Sequence, residues 1–402
     1  MRRIKENHDG ISTILAFVLI PLSGFATDIY LPSLPSMAGD LHITNAAAQL
    51  SLVFFLVSYG VSQLFVGSLL DSFGRFRLGI GALAVFAIAS FTIALSKSPE
   101  LIYLMRIIQG ATVAMVVVGK RAYFVDIFSG DKLKNYTSLF SIIWSAAPIV
   151  APFAGGYLQA AFGWESNFYF LGIFAIIMIL LELMFGGESL QKTTAFNLKS
   201  ITGIYANMLR TKDFSLGMVM LGCAYAMLMI YGMTSPFIIE EVFHFSPVVT
   251  GYCSLLSGVA LMVGGVISKS LIRQPIVKKM AIALVIQLLI ATGMIITGNR
   301  INSIYVLMTF VLLLHMLGGF IFNGFFSFCL GRFTSNAGIA SGITGGGTYI
   351  VTSGVSSVII HFYAIKNQSW LGVSYLTLGL ICVVTLFLFS RVRIKTRQAI
   401  MV

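Results

Sequence analysis

Charge is scarce in this chain: only 10% of its 402 residues are charged, and basic side chains outnumber acidic ones 26 to 14. With 57% of residues hydrophobic, that poverty excludes an ordinary soluble globular protein. The longest hydrophilic stretch, 187–214, is too short for a separate soluble output domain, which argues against a sensor. Hydrolytic signatures are also missing. There is no His-Glu-x-x-His, no Gly-x-Ser-x-Gly and no paired-aspartate motif, the arrangements that metal-assisted or nucleophilic hydrolysis requires. Four cysteines, Cys223, Cys253, Cys329 and Cys382, stand in apolar runs without metal or redox spacing and read as small buried hydrophobes. No enzyme activity, metal or cofactor is expected. The short alternating segments of a β-barrel are absent too.

What the chain has is a succession of apolar runs of about twenty residues, the length that crosses a bilayer as a helix. Twelve spans are expected, near 11–32, 48–69, 78–96, 101–123, 137–160, 166–186, 215–239, 249–268, 277–297, 302–329, 338–360 and 371–390. The first run is too long for a signal peptide and lacks a small-residue cleavage site, so it is expected to stay as a span. Threading the loops alternately places 22 of the 26 Lys and Arg on one side. The positive-inside rule then puts both termini in the cytoplasm. It also explains the net charge of +12 without a nucleic-acid partner. The fold class is an all-α polytopic membrane protein of two pseudo-symmetric six-helix halves, 1–186 and 215–402. A cytoplasmic linker, 187–214, joins them and carries an amphipathic helix through Ile201, Ile204, Tyr205 and Met208. In such a layout the substrate site is expected near the bilayer midplane, where the halves meet.

With acids so few, Asp28 stands out. It lies near the end of the first apolar run, in Thr27-Asp28-Ile29-Tyr30-Leu31-Pro32-Ser33-Leu34-Pro35. A charge within hydrocarbon costs at least ~2.5–3.5 kcal/mol, so such a residue points to function, a proton site above all. The plain alternative is a structural, internally paired aspartate. Pro32 and Pro35 kink or end the helix just past the acid. Arg106 in span 4, within Arg106-Ile-Ile-Gln109-Gly110, needs a partner or a water-filled cavity. Counting 1.5 Å per residue, Asp28 and Arg106 both sit about 8 Å below the same boundary, so they could line one cavity as a pair.

Three motifs carry a resemblance. Between spans 2 and 3 stands Gly67-Ser-Leu-Leu-Asp71-Ser-Phe-Gly74-Arg75-Phe-Arg77, which resembles the loop signature of the major facilitator superfamily. There the loop is an inner-side latch, which implies that role for Asp71, Gly74 and Arg75. The Arg-x-x-Gln-Gly pattern at Arg106 is similar to the superfamily's proton-coupled exporters. Span 5 reads Ala-Pro148-Ile-Val-Ala-Pro152-Phe-Ala-Gly155-Gly156 and looks like the packing and gating motif of drug/proton antiporters. Taken with the Asp28 stretch, it narrows the resemblance to Bcr/CflA-type multidrug exporters. Ile20 stands where some relatives carry a second acid, so coupling would rest on Asp28 alone. Gly264, Gly265, Lys269 and Arg273 form a degenerate copy of the latch loop.

The resemblance implies a proton-driven exporter of small amphipathic molecules, either drug-like compounds or a metabolite such as a siderophore. It would act as a monomer in a bacterial inner membrane. The alternative is a proton-coupled importer of a small metabolite. With Arg106 in the cavity, an anionic substrate is as reasonable as a cationic drug. Candidate cavity residues are Tyr30, Tyr59, Gln109, Trp144, Tyr231 and Phe326, aromatic or polar groups suited to adaptable ligands. In span 10, His315, Gly319 and Asn323 fall at four-residue spacing. His315 is the second candidate proton carrier, with Asn323 as its polar neighbour on that stripe. The acids Glu182 and Glu188, near span ends, are expected to be solvated.

Overall fold

The computed structural model describes residues 8–190, 193, 198–333, 337–363 and 365–401. Among the described residues all long regular elements are helices, which satisfy every backbone group internally, as hydrocarbon demands. The chain divides into two compact units: Met1–Leu198 with Pro247–Tyr252, and Lys199–Ser246 with Cys253–Val402.

The first unit opens with α1 (Asp9–Leu19) and α2 (Leu22–Asp28), a single 3-10 turn at Leu31–Ser33, and α3 (Leu34–Asp40). Together they make a candidate span of 32 residues, interrupted twice. One kink after Asp28 was expected. The second break comes at Pro21, whose ring cannot continue the backbone ladder of α1, and it leaves α2 as a seven-residue segment that ends at Asp28 itself. Then follow α4 (Asn45–Phe73), α5 (Arg75–Leu95), α6 (Pro99–Ile127), α7 (Gly130–Phe162) and α8 (Glu165–Phe185). α6 packs along both α4 and α5, and α5 along α8. Gly74, at φ +93°, makes the turn from α4 into α5 in a conformation that side-chain-bearing residues avoid. α7 runs unbroken through Pro148 and Pro152. It lies against α2 with small residues at the contact. Gly24 meets Ala147, and a methyl at Gly155 would overlap the Ile29 carbonyl oxygen. This is close approach through small residues, as in membrane helix pairs generally.

The second unit contains α9 (Leu198–Arg210), α10 (Lys212–Phe237) with a π-helical turn at Ile238–Val242, α11 (Pro247–Ser270) from Cys253 onward, α12 (Ile276–Gly298), α13 (Ile304–Gly331), α14 (Ala337–Tyr363) and α15 (Gln368–Met401). α9 is the amphipathic helix of the linker: Met208 is buried and Leu209 exposed, while the Ile201 side chain lies outside the described residues. α10 is apolar all round and almost wholly buried, the mark of a central helix, and it packs on α13, α14 and α15. Gly264, read as part of a degenerate latch copy, serves a helix crossing. It sits inside α11, where a methyl would overlap the Met316 carbonyl oxygen of α13, and Gly319 meets the Leu261 carbonyl oxygen in return.

Eleven helical stretches among the described residues are long and apolar enough to cross a membrane. The remaining expected span, 137–160, falls on α7, 33 residues long.

Candidate functional site

Arg106 lies in the middle of the first unit with no solvent exposure. The α6 helix aims it between α2, α4 and α8, and each neighbour supplies an acceptor or a ring. Nη1 donates to the Ala26 carbonyl oxygen at 3.0 Å and to Gln109 Oε1 at 2.8 Å. Nε donates to the Ser51 carbonyl oxygen at 3.3 Å, and Nη2 to the Tyr30 hydroxyl at 3.4 Å. The guanidinium carbon is 4.4 Å from the ring centre of Phe55 and 4.6 Å from that of Tyr30, distances at which aromatic faces stabilise a cation. Gln109 is held in turn by donating to Ser90 Oγ at 2.8 Å. Tyr30 and Gln109, placed in the substrate cavity by sequence, are thus the groups that enclose Arg106, and Tyr59 is equally buried.

Asp28 is also buried, at 2% exposure, and neither carboxyl oxygen has a hydrogen-bond partner among the described residues. The expected closeness to Arg106 takes an indirect form. The arginine bonds the Ala26 carbonyl two residues earlier on α2 rather than the carboxyl itself. Ala26 lies near the C-terminal end of α2, where carbonyls lack intrahelical donors.

A second polar cluster joins α4, α5, α6 and the segment after α8. Arg75 pairs with Asp71 at 2.9 Å and with Asp126 near the end of α6. Asp126 also accepts from Ser189 Oγ at 2.8 Å. Glu188 is buried, and its carboxylate accepts the Arg75 and Phe76 backbone N–H groups, each at 3.1 Å. It therefore caps the N-terminus of α5, where a negative charge also meets the positive end of the helix dipole. Glu182 is buried as well and pairs with Lys120. The expectation that Glu182 and Glu188 are solvated is overturned: both face inward because basic or N–H donors wait there. Sequence reasoning missed Asp126, although an acid at the end of an otherwise apolar span was its signal. It also missed Phe55, for which periodicity offers no clue.

In the second unit His315 is fully buried on α13. Its Nε2 lies 3.0 Å from the Tyr375 hydroxyl, and its ring stands edge-on to Tyr231 with centroids 5.1 Å apart. Tyr231 donates to Met308 Sδ at 3.3 Å. Phe326 is half-buried and stacks on Phe322 at 5.6 Å, and Asn323 is half-buried nearby. These residues cluster within their own unit, with His315, Tyr231 and Tyr375 together at its core. The Trp144 side chain lies outside the described residues. All four cysteines are buried and free.

A family model, the Major Facilitator Superfamily, matches residues 16–356. An MFS-type transporter, YdgK of Bacillus subtilis, is 28% identical over 332 residues, covering 79% of this chain and 80% of that protein. A bicyclomycin resistance protein homolog of Haemophilus influenzae is 30% identical over 182 residues, 45% of this chain and 46% of the relative, so the match spans under half of that protein. The crystal structure of the nucleoside transporter NupG superimposes with a TM-score of 0.70 at 17% identity, over 94% of this chain and 98% of the other. At that identity the likeness concerns the fold. Family model, helical architecture and apolar spans agree: the chain belongs to the Major Facilitator Superfamily and is a multi-pass membrane transporter, not an enzyme.

Proposed function

We propose that the protein is a proton-coupled exporter of small amphipathic molecules, of the Bcr/CflA type, with Asp28 as the proton carrier. It would sit in a bacterial cytoplasmic membrane with both termini inside, acting as a monomer and drawing on the proton gradient alone. The observation that carries this reading is a carboxyl buried in a membrane-spanning unit without a donor to either oxygen. An ionised carboxylate in such a place bears an uncompensated charge, whereas a protonated one does not. Loading Asp28 with a proton therefore favours the closed packing described here, and losing the proton favours a rearrangement that lets water or substrate reach the acid. Proton and substrate then compete for one state, which is what an antiporter needs. Arg106 acts as a fixed positive centre, its donors held by neutral acceptors so that the field at α2 stays constant. The Arg75 cluster, with Asp71 and Asp126, supplies the latch; Pro148 and Gly155 keep α7 close to α2, and Pro152 and Gly156 lie against the first residues of α11, Gly251 and Pro247. Outward direction is supported by the resistance protein homolog. The cargo, whether drug-like or a self-made metabolite such as a siderophore, is left to the cavity chemistry.

Direction and coupling are tested in everted membrane vesicles with a panel of fluorescent amphipathic dyes. An acidic lumen should drive dye accumulation with the wild-type protein and not with Asp28→Asn. Accumulation indifferent to the gradient, or dye loss driven by an acidic lumen as an importer would show, would refute the proposal.

A further inference from the structure

The last two helices, α14 and α15, follow each other in sequence but scarcely touch, although each packs along α10. Between them lies a cavity of about 450 Å³. One wall is two adjoining rows on α14, Gly354, Val358 and Phe362 beside Val355, Ile359 and Tyr363. The other wall is Thr377 and Ile381 of α15. Four-residue spacing keeps each row on one face of its helix. The cavity opens sideways, since Val358 is 55% and Phe362 76% exposed. Both helices are apolar enough to cross a membrane, over Ala340–Tyr363 and Gln368–Arg393, so the opening faces hydrocarbon. Its floor is bare at Gly354, where nothing lies within 4 Å of the place a methyl would take.

Water does not suit this space. A water in a cavity needs several polar partners, and the two polar side chains that line this one are already used. Thr377 donates to the Val373 carbonyl oxygen at 2.9 Å. Its oxygen therefore accepts from the Tyr363 hydroxyl, 3.0 Å away, and neither group keeps a donor for a guest. An empty gap would forfeit dispersion contacts along both walls. The occupant is thus apolar, and the ends of the groove say more about it. From Gly354 to Tyr363 the wall rises about 14 Å, the depth of one leaflet of a ~30 Å hydrocarbon core. At the Tyr363 end its ring stacks on Trp370, with centroids 5.9 Å apart, as aromatic side chains do at a membrane–water boundary. Lys366, in the connection between the two helices at that end, is exposed. No acidic residue stands anywhere between 354 and 381, so the mouth suits a phosphate group.

We propose that the groove between α14 and α15 is a lipid site. It takes one acyl chain of a phospholipid, with the headgroup toward Lys366 and the chain end toward Gly354. A chain in this place touches two helices at once, whereas bulk lipid touches one, so the added dispersion contacts hold it beyond the ordinary lipid annulus. The inference rests on the second unit spanning a membrane, and on neither proton coupling, direction nor cargo.

The test uses the full chain in phosphatidylglycerol nanodiscs doped with an analogue that carries a diazirine halfway along one acyl chain. After illumination the labelled peptides are mapped by mass spectrometry. Label on Val355–Phe362 and Thr377–Ile381 should exceed that on Ile282, Val285 and Leu289, comparably exposed positions of α12, about fivefold. Gly354→Phe fills the groove from its bare floor and should bring the label down to the α12 level. Gly354→Leu should lower it in the same direction and keeps the test decisive if the larger ring disturbs folding. Excess rhodamine B, which has no long alkyl chain, should leave the label in place. Wild-type labelling no higher than on α12, an excess unchanged in both variants, or displacement by rhodamine B, which would make the groove a cargo site, would overturn the proposal.

Discussion

A lysine in place of Arg106 would keep the charge and lose the fork. Three acceptors and a hydroxyl converge on the guanidinium, and an ammonium cannot reach them all. Arg106→Lys should therefore destabilise the fold by roughly 2–4 kcal/mol, seen as a lower midpoint in thermal unfolding of the detergent-solubilised protein. Asp28→Asn makes a deliberate contrast. Because no donor holds either oxygen, the amide should change stability by about 1 kcal/mol or less, even where transport is lost. Such a pair of outcomes would separate a structural arginine from a functional acid. Glu188→Ala removes the cap of α5 and should cost about 1 kcal/mol in the same measurement. Sequence singled out Asp28 and Arg106 because ionisable groups in apolar runs are rare. It could not show that their contact passes through a backbone carbonyl, since that depends on how α2 and α6 cross.

At the scale of elements, glycines differ sharply in what they permit. A methyl at Gly155 or Gly264 would overlap a backbone carbonyl of the facing helix, whereas Gly79 has nothing within 4 Å of that position. Gly155→Ala and Gly264→Ala should thus sharply reduce the yield of monodisperse protein on size-exclusion chromatography, and Gly79→Ala should not. Helix existence and order were readable from the apolar runs, because a span must be long and continuous to cross a bilayer. Interruptions were less so. The break at Pro21 fell inside a run that hydropathy reads as unbroken, and the π-helical turn at Ile238–Val242 leaves no mark in composition. Gly264 lies within the expected span 249–268, but glycine spacing alone does not tell a latch-loop copy from a helix crossing, which is what the structure makes of it. Glu182 and Glu188 were assigned to water by their position near span ends. Their partners, Lys120 and the N-terminus of α5, come from sequence positions far away.

For the whole molecule, the charge asymmetry makes a topology that can be checked directly. The four native cysteines are buried, so the wild-type background should be low. Lys97→Cys, Arg300→Cys and Lys366→Cys should react with an impermeant maleimide added outside intact cells, and Lys212→Cys should react only after the membrane is opened. Family membership was readable in the chain because the latch and span-5 motifs are short and specific. Coupling is a different matter, since it depends on what Asp28 does when a proton arrives. Proteoliposomes with a pH-sensitive dye in the lumen measure this most directly: a proton gradient is imposed, amphipathic compounds are added, and lumenal pH is followed for wild type and Asp28→Asn. Substrate-dependent proton movement in the wild type that disappears in Asp28→Asn is the predicted result. Proton movement of equal size in the variant would contradict Asp28 as the carrier and turn attention to His315.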